Sequence, residues 1–91
     1  MNQRYLQVTY RNGRPLAAYL YLPRKVGDKS AKSVKCAGGL VVDYTADGRP
    51  IGIEISAPKL TTLDALNRAL ASAQQEPISA QEIQPLLTAA A

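Results

Sequence analysis

The stretch Gly39–Ile55, G-L-V-V-D-Y-T-A-D-G-R-P-I-G-I-E-I, decides how this 91-residue chain folds. Two aliphatic runs, Leu40–Tyr44 and Ile51–Ile55, alternate with a period of two and flank an Asp-Gly pair, which is the pattern of a hairpin. A turn centred on Asp47-Gly48 pairs residues whose numbers sum to about 95, by counting outward from the turn. Leu40 then faces Ile55, Val42 faces Ile53 and Tyr44 faces Ile51, so all six share the buried side of an antiparallel sheet.

Working outward, the preceding connection needs an odd loop. A two-residue Gly38-Gly39 turn would set Val34 against Asp43 and invert one strand. A three-residue Ala37-Gly38-Gly39 loop pairs Cys36 with Leu40 and Val34 with Val42, and glycine supplies the left-handed residue such a loop needs. This places a third strand near Ala31–Cys36. Further back, Tyr5–Arg11 and Leu16–Leu22 read as two more strands around Asn12-Gly13. Leu6 meets Leu20, Val8 meets Ala18 and Tyr5 meets Tyr21 across an odd loop. Arg24–Lys29 is a basic loop.

After Pro58 the period lengthens. Thr61 and Asp64 form a capping box, and Leu63, Leu66 and Leu70 form an apolar stripe that Ala65, Ala69 and Ala73 widen. Pro77 ends this helix. Ser79 and Glu82 mark a second start with Ile78 and Ile83 as a staple, but Pro85 limits it to one turn over Ser79–Gln84. The expected fold is α+β: a four- to five-stranded antiparallel β-meander with a C-terminal α-helix on its aliphatic face. Residues 1–76 form the domain, and residues 77–91 form a helical turn and a mobile Ala-rich tail.

The central stretch resembles the short bacterial proteins of domain-of-unknown-function family 2283. The residues that carry the resemblance are Gly39, Asp43-Tyr44, Gly48 and Gly52-Ile53-Glu54-Ile55. Ala18-Tyr19-Leu20-Tyr21 fits the family's opening strand more loosely, and the basic start of the chain departs from it. The resemblance implies an antiparallel sheet followed by a helix, no established activity, and for some relatives a place in toxin–antitoxin-style pairs.

Composition narrows the chemistry. The chain has no His, which excludes Ser-His or Cys-His catalysis and imidazole metal ligation. Cys36 is the sole cysteine, so no internal disulfide forms, as befits a reducing compartment. It falls on the core face, where a thiol is structural rather than reactive. No apolar run approaches the roughly 20 residues that span a bilayer. Arg4, Gln7, Thr9 and Arg11 interrupt the N-terminal stretch where a signal peptide needs its apolar centre. A cytoplasmic location with no membrane partner is expected.

The net charge of +4 is unevenly spread: residues 1–35 stand at +7 and the remainder at −3. Such a split can steer an anionic partner, or it can hold two edges of one sheet together. Asp47 is a turn residue rather than part of a calcium loop, since the third acid and terminal Glu are missing. No metal or cofactor is expected.

Asp43 and Glu54 are the only paired carboxylates worth testing. The register makes them diagonal neighbours on the outer face, about 7–8 Å apart between Cα atoms. A hydrolase could use such a pair. An open sheet face offers no pocket, however, and solvated acids or partners for Lys35 are the favoured reading. Gly52, opposite Asp43, leaves room for a Tyr ring or another backbone.

The outer face of the first two strands carries Tyr5 and Arg11 beside Tyr19 and Tyr21. Tyrosines with arginine suit a protein interface, and they also suit a platform for stacked bases of single-stranded nucleic acid. Plain strand propensity places tyrosine there too. The leading expectation is a non-catalytic protein-interaction module, either a homodimer or one half of a two-protein system. It would engage its partner through an edge strand or through Tyr5, Tyr19 and Tyr21, and nucleic-acid binding is the alternative.

Overall fold

The computed structural model describes residues 3–86. Five strands form one antiparallel sheet: β1 (Tyr5–Arg11), β2 (Arg14–Tyr21), β3 (Lys32–Cys36), β4 (Leu40–Tyr44) and β5 (Pro50–Ile55). A 3-10 turn at Pro58–Leu60 leads into the helix α1 (Leu63–Ser72). The α+β class, the β3-β4-β5 meander and the C-terminal helix are as the periodicity predicts. None of the described helices is long and apolar enough to cross a membrane.

The strand order is β1-β2-β5-β4-β3. The chain leaves β2, crosses to the far edge as β3, and returns through β4 so that β5 lies beside β2. Ala18 pairs with Ile55, and Leu20 with Ile53. β2, β5 and β4 therefore sit inside the sheet, and β1 and β3 form the edges.

The register follows the alternation through most of both hairpins and departs near the turns. Leu40 faces Ile55 and Val42 faces Ile53, but Tyr44 faces Pro50 rather than Ile51. The cause is the turn. Thr45 N–H donates to Arg49 O (2.9 Å) and Gly48 N–H to Thr45 O (3.0 Å), closing a three-residue loop instead of one centred on Asp47-Gly48. That shift leaves Ile51 as the extra residue of a bulge. Ile51 is buried but stands apart from the main core cluster.

The first hairpin makes the same compromise. Tyr5–Tyr21, Leu6–Leu20 and Val8–Ala18 pair as expected, but the loop is not odd. Asn12 and Gly13 both lie at positive φ (54° and 76°), giving a two-residue turn closed by Arg11 and Arg14. Leu16 is the extra residue that reconciles this even turn with the register. The β3-β4 connection is the three-residue Ala37-Gly38-Gly39 loop, with Cys36 opposite Leu40.

The inner sheet face and α1 enclose the core: Leu20, Leu22, Leu40, Val42, Ile53 and Ile55 meet Leu66, Ala69 and Leu70. Each fully buried leucine contributes about 1.5–3 kcal/mol. The helix cap is Thr62 rather than Thr61, with Ala65 N–H donating to Thr62 Oγ1 at 3.0 Å. Thr61 is buried and donates instead to the Ala57 and Gly38 carbonyls, so it ties the helix entry to the β3-β4 loop.

The core continues past residue 76, contrary to the expected boundary. Ile78, Ile83 and Leu86 are all buried in it. The Ser79–Glu82 box forms as predicted (Ser79 N–H to Glu82 Oε1, 3.1 Å). Residues 80–83 are turns, and a helix begins at 84 with Pro85 in its first turn. Proline is tolerated there because its missing N–H would have no helical acceptor. Two polar latches hold the segment. Arg4 donates to the Glu76 and Pro77 carbonyls at 2.6 Å, and Asn67 exchanges bonds with the Ile78 backbone. Of the expected mobile tail over residues 86–91, Leu86 is instead buried in the core, and residues from 87 on lie outside the described residues.

Candidate interaction surfaces

On the outer sheet face the order β1-β2-β5-β4-β3 lines up two rows: Tyr5, Tyr21, Gly52, Asp43, Ser33, and beside it Gln7, Tyr19, Glu54, Val41, Lys35. Gly52 has no side chain, so the Tyr19 ring lies across it diagonally. A Cβ built on Gly52 would overlap the ring. From there Tyr19 Oη donates to Asp43 Oδ2 (2.9 Å), and Ser33 Oγ donates to Asp43 Oδ1 (2.6 Å). Asp43 is only 5% exposed. It is thus neither a solvated acid nor a partner of Lys35, because the ring over Gly52 roofs it and two hydroxyls take its oxygens.

The electrostatics follow from this packing. Burial and then the bond to Asp43 push the Tyr19 phenol up to about 12. Glu54 is raised above the ordinary carboxylate range by desolvation first and by the nearby charge of Asp43 second. Both Asp43 oxygens already accept hydrogen bonds, so Asp43 is poorly placed to act as a base, and Glu54 borders only a shallow depression of about 210 Å³ with Gln7, Thr9 and Ser56. The described residues hold no group of three or more potential metal ligands.

Tyr5, Tyr19 and Tyr21 form one cluster. Tyr5 and Tyr21 stack at 4.6 Å between centroids, and Tyr19 meets Tyr21 edge-on at 4.7 Å. Tyr21 Oη donates to Gln7 Oε1 (3.1 Å), and the Arg24 guanidinium lies 5.0 Å from the Tyr21 ring centre. Arg24 and Ser33 belong to this face although the motif reading does not single them out. Their signals were present: a base after a Tyr strand, and a hydroxyl one strand from Asp43. Arg11 stands apart, six residues and about 20 Å along β1 from Tyr5. Of the remaining motif residues, Gly39 and Gly48 serve turns at positive φ, and Tyr44 packs on the edge of the core.

At one end, Arg49 grips Asp28 with two bonds (2.7 and 3.0 Å) and reaches Asp47 at 3.1 Å, tying the 24–29 loop to the β4-β5 turn. The Arg49 guanidinium holds the Asp28 carboxyl down at about 2.

The second surface is the β3 edge. The four residues Lys32, Ser33, Val34 and Lys35 are all exposed, and Val34 is 40% exposed although its strand partner Val42 is fully buried. On the inner side, a groove of about 310 Å³ runs between Cys36-Ala37 and Asp64, Ala65, Arg68 and Ala69 of α1. The opposite edge differs on its inner side: Leu6 and Val8 of β1 pack, half-buried, against the core cluster that includes Ile78, Ile83 and Leu86, and Arg4 is bonded to the Glu76 and Pro77 carbonyls.

Comparison with known proteins adds two likenesses. A 68-residue stretch is 37% identical to the Protein transport protein SEC31 of Candida glabrata, covering 71% of this chain and 5% of that protein. No solved structure matches the chain. Residues 17–57, which run from β2 to just past β5 and include Tyr19, Ser33, Asp43, Gly52 and Glu54, match the family described as protein of unknown function (DUF2283), so the resemblance carried by the Gly-Ile-Glu-Ile strand is real.

Proposed function

We propose that this chain is a non-catalytic protein-interaction module that takes up an extended strand of its partner along β3. The observation that carries this reading is the state of that edge: four consecutive exposed residues, with Val34 on the core side but half uncovered. Strand addition satisfies the outward backbone groups of such an edge, and alternate side chains supply specificity.

The tyrosine face supports this reading less. Its rings are spent on one another, on Arg24 and on Asp43. The same arrangement weighs against nucleic acid, since Asp43 and Glu54 put negative charge beside the rings where phosphates would lie. It also weighs against a two-carboxylate hydrolase, because Asp43 is roofed and already bonded.

The test is hydrogen exchange on the native complex. The partner, a copy or another chain, is expected to protect residues 32–36 and to be lost on Val34→Lys with the thermal melt unchanged. A partner that still binds Val34→Lys, or protects Tyr5, Tyr19 and Tyr21 instead, overturns the reading.

A further inference from the structure

Resting on that reading, we infer that the strand taken up by β3 is β3 of a second copy, antiparallel and two-fold symmetric about Val34. This register places Val34 against Val34 of the copy, Ser33 against Lys35, and Lys32 against Cys36. No lysine meets a lysine directly, which self-pairing of a strand carrying Lys32 and Lys35 requires.

The inner face supplies the charge complement. Lys32, Val34 and Cys36 share one face of β3 by strand alternation. Lys32 of the copy therefore projects beside Cys36, at the mouth of the groove lined by Cys36, Ala37, Asp64, Ala65 and Arg68. Its methylene stem covers the alanines and its ammonium meets the Asp64 carboxylate, in the way long basic side chains bury their stems. Asp64 is open to receive it: its side chain is 75% exposed and bonded only on one side, to Arg68 at 3.0 Å.

The spacing is consistent. α1 packs over β4, so the two helices stand three strand spacings apart, about 14 Å. That exceeds the 8–10 Å of direct helix contact, and the Lys32 side chain is long enough to bridge it. The symmetry axis repeats each contact, so every dimer holds two Lys32–Asp64 pairs.

The test uses charge reversal and mixing, followed by sedimentation of the full chain. Wild type is expected to dimerise, and Lys32→Glu or Asp64→Lys alone to weaken dimerisation by about tenfold or more, since each variant repeats a repulsion twice. Mixing the two variants is expected to restore association as a heterodimer, because both pairs regain opposite charges. Circular dichroism establishes that each variant is folded, and Lys35→Glu, on the outer face, serves as a control that leaves the groove contact intact.

A wild-type chain that stays monomeric at high micromolar concentration overturns self-pairing. So does dimerisation indifferent to both reversals, or a mixture that fails to associate. A monomer that nevertheless holds a different protein through residues 32–36 overturns only the identity of the partner. A chain whose β3 is protected by nothing overturns the reading beneath it.

Discussion

Replacing Gly52 with alanine tests the most specific packing on the outer face, because the new methyl occupies the space of the Tyr19 ring. The ring must swing away, and its hydrogen bond to buried Asp43 goes with it. Overpacking of this kind costs about 1–3 kcal/mol, and a lost bond to a charged group about 1.5–3 kcal/mol. The two are not independent, so the expected loss is about 2–5 kcal/mol, a large part of the roughly 5–14 kcal/mol typical for 91 residues. In a Tyr19→Ala background the same substitution meets no ring. There alanine in place of strand glycine is expected to gain about 0.5–1 kcal/mol. Urea unfolding of the four proteins gives the coupling directly, expected at about 2 kcal/mol or more. Equal effects of Gly52→Ala in the two backgrounds, to within about 0.5 kcal/mol, would refute the placement of Tyr19.

Three further outcomes are expected. Tyr19 is the late phenol: spectrophotometric titration should show one group ionising near 12, absent in Tyr19→Phe. Because its folded value is raised, its share of stability is complete below about pH 10 and is lost as pH rises through 12. Asp28 has the opposite sign: held at about 2 against an ordinary 3.8, it contributes stability above pH 4 that fades as pH falls toward 2, and Asp28→Asn should flatten that acid limb in urea melts. Gln74 ends α1 at φ 60°, in the left-handed region. Gln74→Gly should therefore stabilise the fold by about 0.5–1 kcal/mol, read as a raised melting temperature.

Much of the sheet is legible in residue order because alternation and parity are local. Leu40–Ile55, Val42–Ile53, Cys36–Leu40 and Tyr5–Tyr21 all follow from counting. What local counting misses is where the strand sequence is interrupted. The bulges at Leu16 and Ile51 arise because turn geometry and core register disagree by one residue, and an apolar residue is acceptable on either side of that conflict. Adjacent hydroxyls at Thr61 and Thr62 compete for the cap, and only the contact of Thr61 with the Gly38 carbonyl separates them. The staple of Ile78 with Ile83 is legible, but Pro77 and Pro85 cut the segment too short for a periodicity that would announce the burial of Ile78, Ile83 and Leu86.

The outer-face site was half legible. Gly52 opposite Asp43 demanded an incoming group, and a tyrosine was among the candidates. That Tyr19 fills the space depends on β5 docking beside β2, a pairing between residues more than 30 positions apart that periodicity does not encode. Burial of Asp43 is a consequence of the same docking, and so is the raised Glu54 carboxyl.

The central claim is that β3 is an open edge that pairs with β3 of a second copy. Amide hydrogen exchange of the isolated chain, followed from low to high micromolar concentration, tests it most directly. Protection of residues 32–36 should grow with concentration while the amides of β1 stay unchanged. Exchange at β3 that is fast and independent of concentration, or protection that grows at β1 instead, would contradict it.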